Sequence, residues 1–258
     1  MISIRKRFWK RFSKPLFPWL RKSVSEIFCV ELTLFIFSLG FCAQAWAGTI
    51  TGTIKYSGEA PPAKFVHMDA DPVCYAVNKG NTHAPVLVLG DNNTLGNVFV
   101  YVKSGLTKTY PPPDQAAVIT QAGCNYSPHV SGVMVGQKVK FLNPDGTLHN
   151  VHAMCQINPE FNDAMPDFRK EMEKVFNKPE FMFQVRCDVH PWMKAWIAVM
   201  PNPFFAVTGP DGKFEIKDLP AGTYTIEAWH EKLGPQTATI TVKDQGTEGS
   251  DFTFSEPK

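Results

Sequence analysis

FMFQVRCDVHPWMKAWIAVM, Phe181 to Met200, contains two alternating runs separated by a tight loop. In the first run Phe181, Phe183, Val185 and Cys187 share one face and Met182, Gln184 and Arg186 the other, which is the period of a half-buried strand. Cys187 therefore closes a strand and points inward. Pro191 keeps His190 out of the helical region and MKAWIAVM resumes the alternation, so Cys187, His190 and Met193 share one loop between two strands. A thiolate, an imidazole and a thioether so placed suit copper, because sulfur donors select Cu(I) and imidazole accepts either oxidation state. By itself C-x-x-H-x-x-M is a weak signal; an arbitrary β-protein can place a buried Cys beside a surface His and a core Met.

A trigonal His2Cys set with a long axial Met, the arrangement of blue-copper electron-transfer sites, needs one more imidazole from a neighbouring strand. HNVH supplies two candidates. In a strand of period two His149 and Val151 share a face while Asn150 and His152 point the other way, so one of the two histidines faces the loop. Val133 to Met154, VMVGQKVKFLNPDGTLHNVHAM, followed by CDVHPWM, resembles the two signature segments of the cupredoxins, nearest the amicyanin and plastocyanin branch. The resemblance covers roughly residues 97 to 200. It implies a Greek-key sandwich or barrel holding one type 1 copper ion, with His149, Cys187, His190 and Met193 as ligands and Asn150 holding the cysteine loop. It also implies that the edge of His190, beside Pro191 and Trp192, is the electron's exit and the centre of an apolar docking patch. Four protein donors leave no position for a substrate, so the expected activity is outer-sphere electron transfer and the protein is not expected to be an enzyme.

The chain has 258 residues, 44% of them apolar and 12% aromatic, enough for one or two real cores. Its first 47 residues are different. Arg5, Lys6, Arg7, Lys10, Arg11, Lys14, Arg21 and Lys22 precede the apolar IFCVELTLFIFSLGF, and AWA ends at Ala47, the layout of a secretory signal cut before Gly48. Glu31 interrupts the apolar run, which argues against a retained anchor, so the mature chain is expected to lie in the periplasm or outside the cell without a membrane span. Residues 1–47 carry 8 of the 26 Lys and Arg and 2 of the 24 Asp and Glu, leaving a mildly acidic mature chain of net charge −4. No basic patch survives to suggest nucleic acid. Cys74, Cys124, Cys155 and Cys187 remain after the signal. With Cys187 on a metal, two of the other three should pair in an oxidising compartment; Cys74 with Cys124, both in turn-like settings, is the favoured pairing, and Cys155 is then odd, with burial, replacement of one of the pair and approach to the metal all open to it.

Four parts are expected: the signal at 1–47, a strand and loop at 48–83, the copper part at 84–200 and a further β-sandwich at 201–258. In PDFRKEMEKVF, Phe168, Met172, Val175 and Phe176 fall at helical spacing amid charges, which predicts one short amphipathic helix in the copper part. From Phe204 onward, GPDG and LPAG turns separate alternating runs such as TYTIEAW and TATITV. This segment resembles a carboxypeptidase-regulatory-like, transthyretin-like β-sandwich module. It is short for that family, and GTITGTIKY resembles the family's opening strand, so Thr49 to Ile54 is expected to complete it with the copper part as an insertion. His67, Asp69, Asp71 and His83 have no regular ligand spacing and read as a solvated loop; His129 reads as structural and His230 as an edge or surface residue.

The chain's seven histidines lack the paired H-x-H motifs of a multicopper oxidase, and there is no C-x-x-C-H for covalent haem. The expectation is an all-β exported copper protein that passes electrons to a transient redox protein partner, of unspecified oligomeric state. A metal-free adhesion or binding module, a structural zinc site and a periplasmic copper chaperone are the rival readings.

Overall fold

The structure, a computed structural model, describes residues 47–256 other than 63, 80, 81 and 85. The expected signal segment lies outside the described residues apart from Ala47. Nearly all regular structure is β, arranged as two sandwiches. No helix among the described residues is long and apolar enough to cross a membrane.

The first sandwich carries the ligand loop. Its five-stranded sheet runs Val130–Met134, Lys194–Met200, Glu180–Arg186, His149–Ala153, Phe161–Met165, and faces a three-stranded sheet of Glu171–Val175, Lys138–Leu142 and Ala117–Thr120. Val139, Phe141, Val151, Phe183, Val185 and Ile197 fill the space between. Burial of such side chains, about 1.5–3 kcal/mol each, is what fixes the register that aims Cys187 inward.

The second sandwich combines both ends of the described chain. Ala47–Tyr56 pairs antiparallel with Lys213–Pro220, and in parallel with Thr247–Gly249 and Phe252–Phe254. Its alternation buries Ile50, Ile54 and Tyr56. Gly52 is required there, since a Cβ would lie 2.0 Å from the Ser250 carbonyl oxygen and 2.5 Å from the Phe214 ring. The facing sheet runs Phe205–Val207, Phe99–Ser104, Gly222–His230, Gly234–Val242.

Three expectations need correction. Phe99–Ser104, inside the range 84–200 read as the copper part, pairs with Gly222–His230 of the second sandwich. Both of its faces are buried: Val100 and Val102 enter the second core, while Phe99 and Tyr101 pack with Val130, Met182, Ala198 and Met200 of the first sandwich. An unbroken apolar run carries no alternation to say which core it serves. The stretch read as a helix at 166–176 is instead the strand Glu171–Val175, paired with Lys138–Leu142. Met172 and Phe176 are buried at period-two spacing while Phe168 is 84% exposed, and Lys140–Glu171 and Lys138–Glu173 ion pairs bridge the strands at 2.8 and 3.2 Å. Tertiary pairing overrides local helical spacing here. The one α-helix among the described residues is Pro72–Asn78, against the first core through Cys74. Finally, Phe181 is off the core face: the register shifts between Glu180 and Phe183, Met182 has φ of 52°, and Phe181 packs on Tyr101 and Trp229.

Candidate metal centre

Cys187 follows the strand Glu180–Arg186, and its backbone N–H donates to the Met193 carbonyl at 3.1 Å, while Met193 N–H donates to the His190 carbonyl at 2.9 Å. These two bonds close the loop on itself. Across the sheet, the strand His149–Ala153 places His149 at its first position, facing the loop. Cys187, His149, His190 and Met193 are all buried. The Nδ1 atoms of His149 and His190 lie 2.9 Å apart, His190 Nδ1 is 3.7 Å from Cys187 Sγ, and the three donor atoms all fall within 4.8 Å of one another. His152 points the other way, between Asp188 at 2.9 Å and Glu160 at 2.8 Å. Asn150 Oδ1 accepts the Asp188 N–H at 2.7 Å and the Cys187 thiol at 3.3 Å, tying the loop to the His149 strand.

The outer nitrogens are held as well. His149 Nε2 lies 3.0 Å from Asp145 Oδ2 and His190 Nε2 lies 3.1 Å from Asp71 Oδ2. Ionised carboxylates only accept, so both Nε2 atoms carry a proton and both Nδ1 atoms are turned toward the sulfur. Burial alone would raise the Asp71 pKa, but N–H groups of Cys74 and Val73, the His190 imidazole and the Thr147 hydroxyl hold it at about 2. Asp145 is likewise lowered against its burial, by His149 and by the N–H groups of Cys124 and Gly123.

Neither aspartate was singled out as functional in the sequence. Asp71, expected in a solvated loop, caps a helix instead; Asp-Pro, an N-cap with proline in the first turn, is the local pattern that encodes it. The helix it starts brings Cys74 to Cys124, and the two form a disulfide. Cys74 Sγ lies 3.6 Å from His190 Nε2. The His190 edge, expected to be the exposed exit of the site, is therefore covered: the residue is 2% exposed, with Asp71 and the disulfide against it. The segment before the first sandwich folds over this edge of the loop. Trp192 remains half-buried beside it, its ring 5.1 Å from that of His190 and its Nε1–H donating to the Cys124 carbonyl at 3.0 Å.

Of the other polar candidates, His129 is buried between the Lys194 carbonyl and Glu231. His230, read as an edge or surface residue, is fully buried beside Phe254; its Nδ1 accepts the N–H groups of Lys232 and Leu233, and desolvation lowers its pKa to about 4. Cys155 is a buried free thiol outside the donor cluster, its pKa pushed up to about 12 by burial and by Glu180 and Glu160.

Cys187 behaves oppositely. Burial disfavours its thiolate, but both imidazoles and the Asn150 and His190 N–H groups outweigh that and bring its pKa down to about 6. For His149, burial favours the neutral ring, yet Asp145 and the Cys187 sulfur raise its pKa to about 9. Two Nδ1 lone pairs and a thiolate at these separations repel unless a cation sits among them; without a metal the proton does so. The donors thus fit a soft cation, which would displace that proton. In the metal-free protein the ultraviolet thiolate absorbance of Cys187 is expected to titrate near pH 6, present above and lost below, while Cys155 stays silent through neutrality. A single thiolate transition above pH 8 would contradict the pairing.

No family model and no curated protein matches the chain. Solved structures do match parts of it. A copper-containing nitrite reductase from Thermus scotoductus SA-01 aligns with 23% identity and TM-score 0.31 over 40% of this chain and 25% of that one. A purple cupredoxin from Nitrosopumilus maritimus aligns with 25% identity and TM-score 0.28 over 33% of this chain and 99% of its own. A mutant of amicyanin in its Cu(I) form gives 23% identity and TM-score 0.30 over 34% and 85%. These neighbours are cupredoxins and a cupredoxin-related reductase. They span at most two fifths of the chain, and only a quarter of the reductase's length is represented here.

Proposed function

We propose that this chain is an exported electron-transfer protein that would hold one type 1 copper ion through His149, Cys187 and His190, with Met193 as a further, weaker donor. The observation that carries the reading is the convergence of two Nδ1 atoms and a buried sulfur, with both outer imidazole nitrogens already committed to carboxylates. Copper bound there would supply a one-electron couple through a covalent thiolate bond. Asn150 fixes the sulfur, Asp145 and Asp71 fix the rings, and Met193, buried and bonded through its backbone to Cys187 and His190, would be a further donor. Such a site excludes water and offers no position to a substrate, so we read the protein as a carrier and not an enzyme. Its partner would be a redox protein meeting it through a small, transient interface. The Cys74–Cys124 disulfide supports an oxidising compartment, the periplasm or the exterior. We read the second sandwich as a carboxypeptidase-regulatory-like module, supported by its turn-punctuated strands and the N-terminal strand that completes it.

Adding Cu(II) to the purified protein is expected to give an intense thiolate-to-copper visible band and a narrow EPR hyperfine splitting. A colourless complex with broad splitting would leave a chaperone or a metal-free module as the better account. His149→Ala should remove the band and His152→Ala should leave it; the reverse result would assign the ligand to the other histidine.

A further inference from the structure

Resting on that copper reading, we infer that Asp71 is a positioning residue of the metal centre, and that the disulfide-anchored helix Pro72–Asn78 is the cap closing the His190 edge.

The two oxygens of Asp71 do different work. Oδ1 accepts the N–H groups of Val73 and Cys74 at 2.8 and 3.0 Å, the N-cap of the helix, while Oδ2 accepts from Thr147 Oγ1 at 2.9 Å and from His190 Nε2 at 3.1 Å. One carboxylate thus starts the helix and orients the imidazole. Thr147 lies two residues before His149, so the same oxygen also ties down the approach to the other histidine. The helix cannot drift from this position: Cys74 is bonded to Cys124, and Asn78 Nδ2 donates to the Gly123 carbonyl at 2.9 Å. At the far end of the disulfide, Asp145 accepts the N–H groups of Gly123 and Cys124 at 3.0 and 2.8 Å while facing His149 Nε2. Each sulfur of the disulfide therefore sits beside the carboxylate that holds one imidazole. The donor–carboxylate pairing is symmetric, and one covalent bond spans it.

The chemistry that follows is specific. A carboxylate on Nε2 keeps that nitrogen protonated, leaves the Nδ1 lone pair for the metal and increases its donor strength. Asp71→Asn separates this role from the cap. The amide oxygen can still accept from Val73 and Cys74, but the NH2 group then faces His190 Nε2, a donor against a donor, which favours moving the proton to Nδ1, the atom that must bind. Asp71→Ser keeps a capping oxygen and has no group long enough to reach the imidazole.

Two measurements on the full-length protein test this. In metal-free protein with 15N-labelled histidine, a slowly exchanging Nε2–H signal of His190 is expected in the wild type and is expected to vanish in Asp71→Asn. In a competition titration against a chelator, Cu(II) affinity is expected to fall about 10–100-fold in Asp71→Asn and less in Asp71→Ser, with the far-ultraviolet CD unchanged in both. A His190 Nε2–H signal as protected in Asp71→Asn as in the wild type overturns the inference, as does an affinity unaltered by either variant. If the wild type takes up no copper the proposed function fails, and the metal-free signal still decides the role of Asp71.

Discussion

Cys187→Ser is expected to abolish the visible charge-transfer band of the copper-loaded protein outright. The substitution is nearly isosteric, and the Asn150 Oδ1 that accepts the thiol can accept a hydroxyl, so the loop should close as before. What disappears is the thiolate: serine stays protonated where Cys187, with a pKa brought to about 6, ionises. Affinity should fall by more than the roughly 10–100-fold expected for loss of an outer carboxylate, because a first donor is gone. His149 should respond too, losing the sulfur that helps hold its pKa near 9. Visible absorbance, chelator competition and histidine NMR read the three effects. A Cys187→Ser protein that keeps the band would move the thiolate donor to Cys155, the other free cysteine among the described residues.

Deleting residues 48–57 is expected to unfold the second sandwich. Ala47–Tyr56 lies inside its sheet, bonded to Lys213–Pro220 on one side and to Thr247–Gly249 and Phe252–Phe254 on the other. The deletion removes Ile50, Ile54 and Tyr56 from the core. At about 1.5–3 kcal/mol for each large side chain, that loss rivals the 5–15 kcal/mol that typically separates a folded domain from its unfolded chain. Rapid hydrogen exchange throughout Gly222–His230 and Gly234–Val242 would be the signature. Retained protection and an unchanged melting profile would show that the C-terminal strands need no help from the N-terminus.

Those two predictions concern features that local patterns encode. The loop from Cys187 to Met193 was legible because strand alternation on either side and Pro191 within it fix where the donors point. Period two says that one of His149 and His152 faces the loop without saying which, and the resemblance to the cupredoxins supplies His149; the structure sets His149 against His190 with His152 between Asp188 and Glu160. Short-range alternation also marked the strands of the second sandwich. What stayed hidden depended on distant partners. Glu171–Val175 has helical spacing in isolation and becomes a strand through its pairing with Lys138–Leu142. The bulge at Met182, which turns Phe181 out of the core, follows from a register shift that no single strand reveals. The closing of the His190 edge was the least accessible of all, since it depends on a helix more than a hundred residues away in sequence meeting the loop.

Phe99–Ser104 lies with one face in the second core and the other in a separate apolar layer against the first sandwich, and the first described strand returns to a sheet whose other members begin at residue 213. No one cut in the polypeptide, therefore, yields two self-sufficient pieces: severing after residue 200 leaves the C-terminal fragment without Ala47–Tyr56 and Phe99–Ser104, and leaves both of those strands stranded on a fragment that has no sheet to receive them. The protein is an interlaced whole, and any attempt to graft its ligand loop onto another carrier has to take the lacing into account.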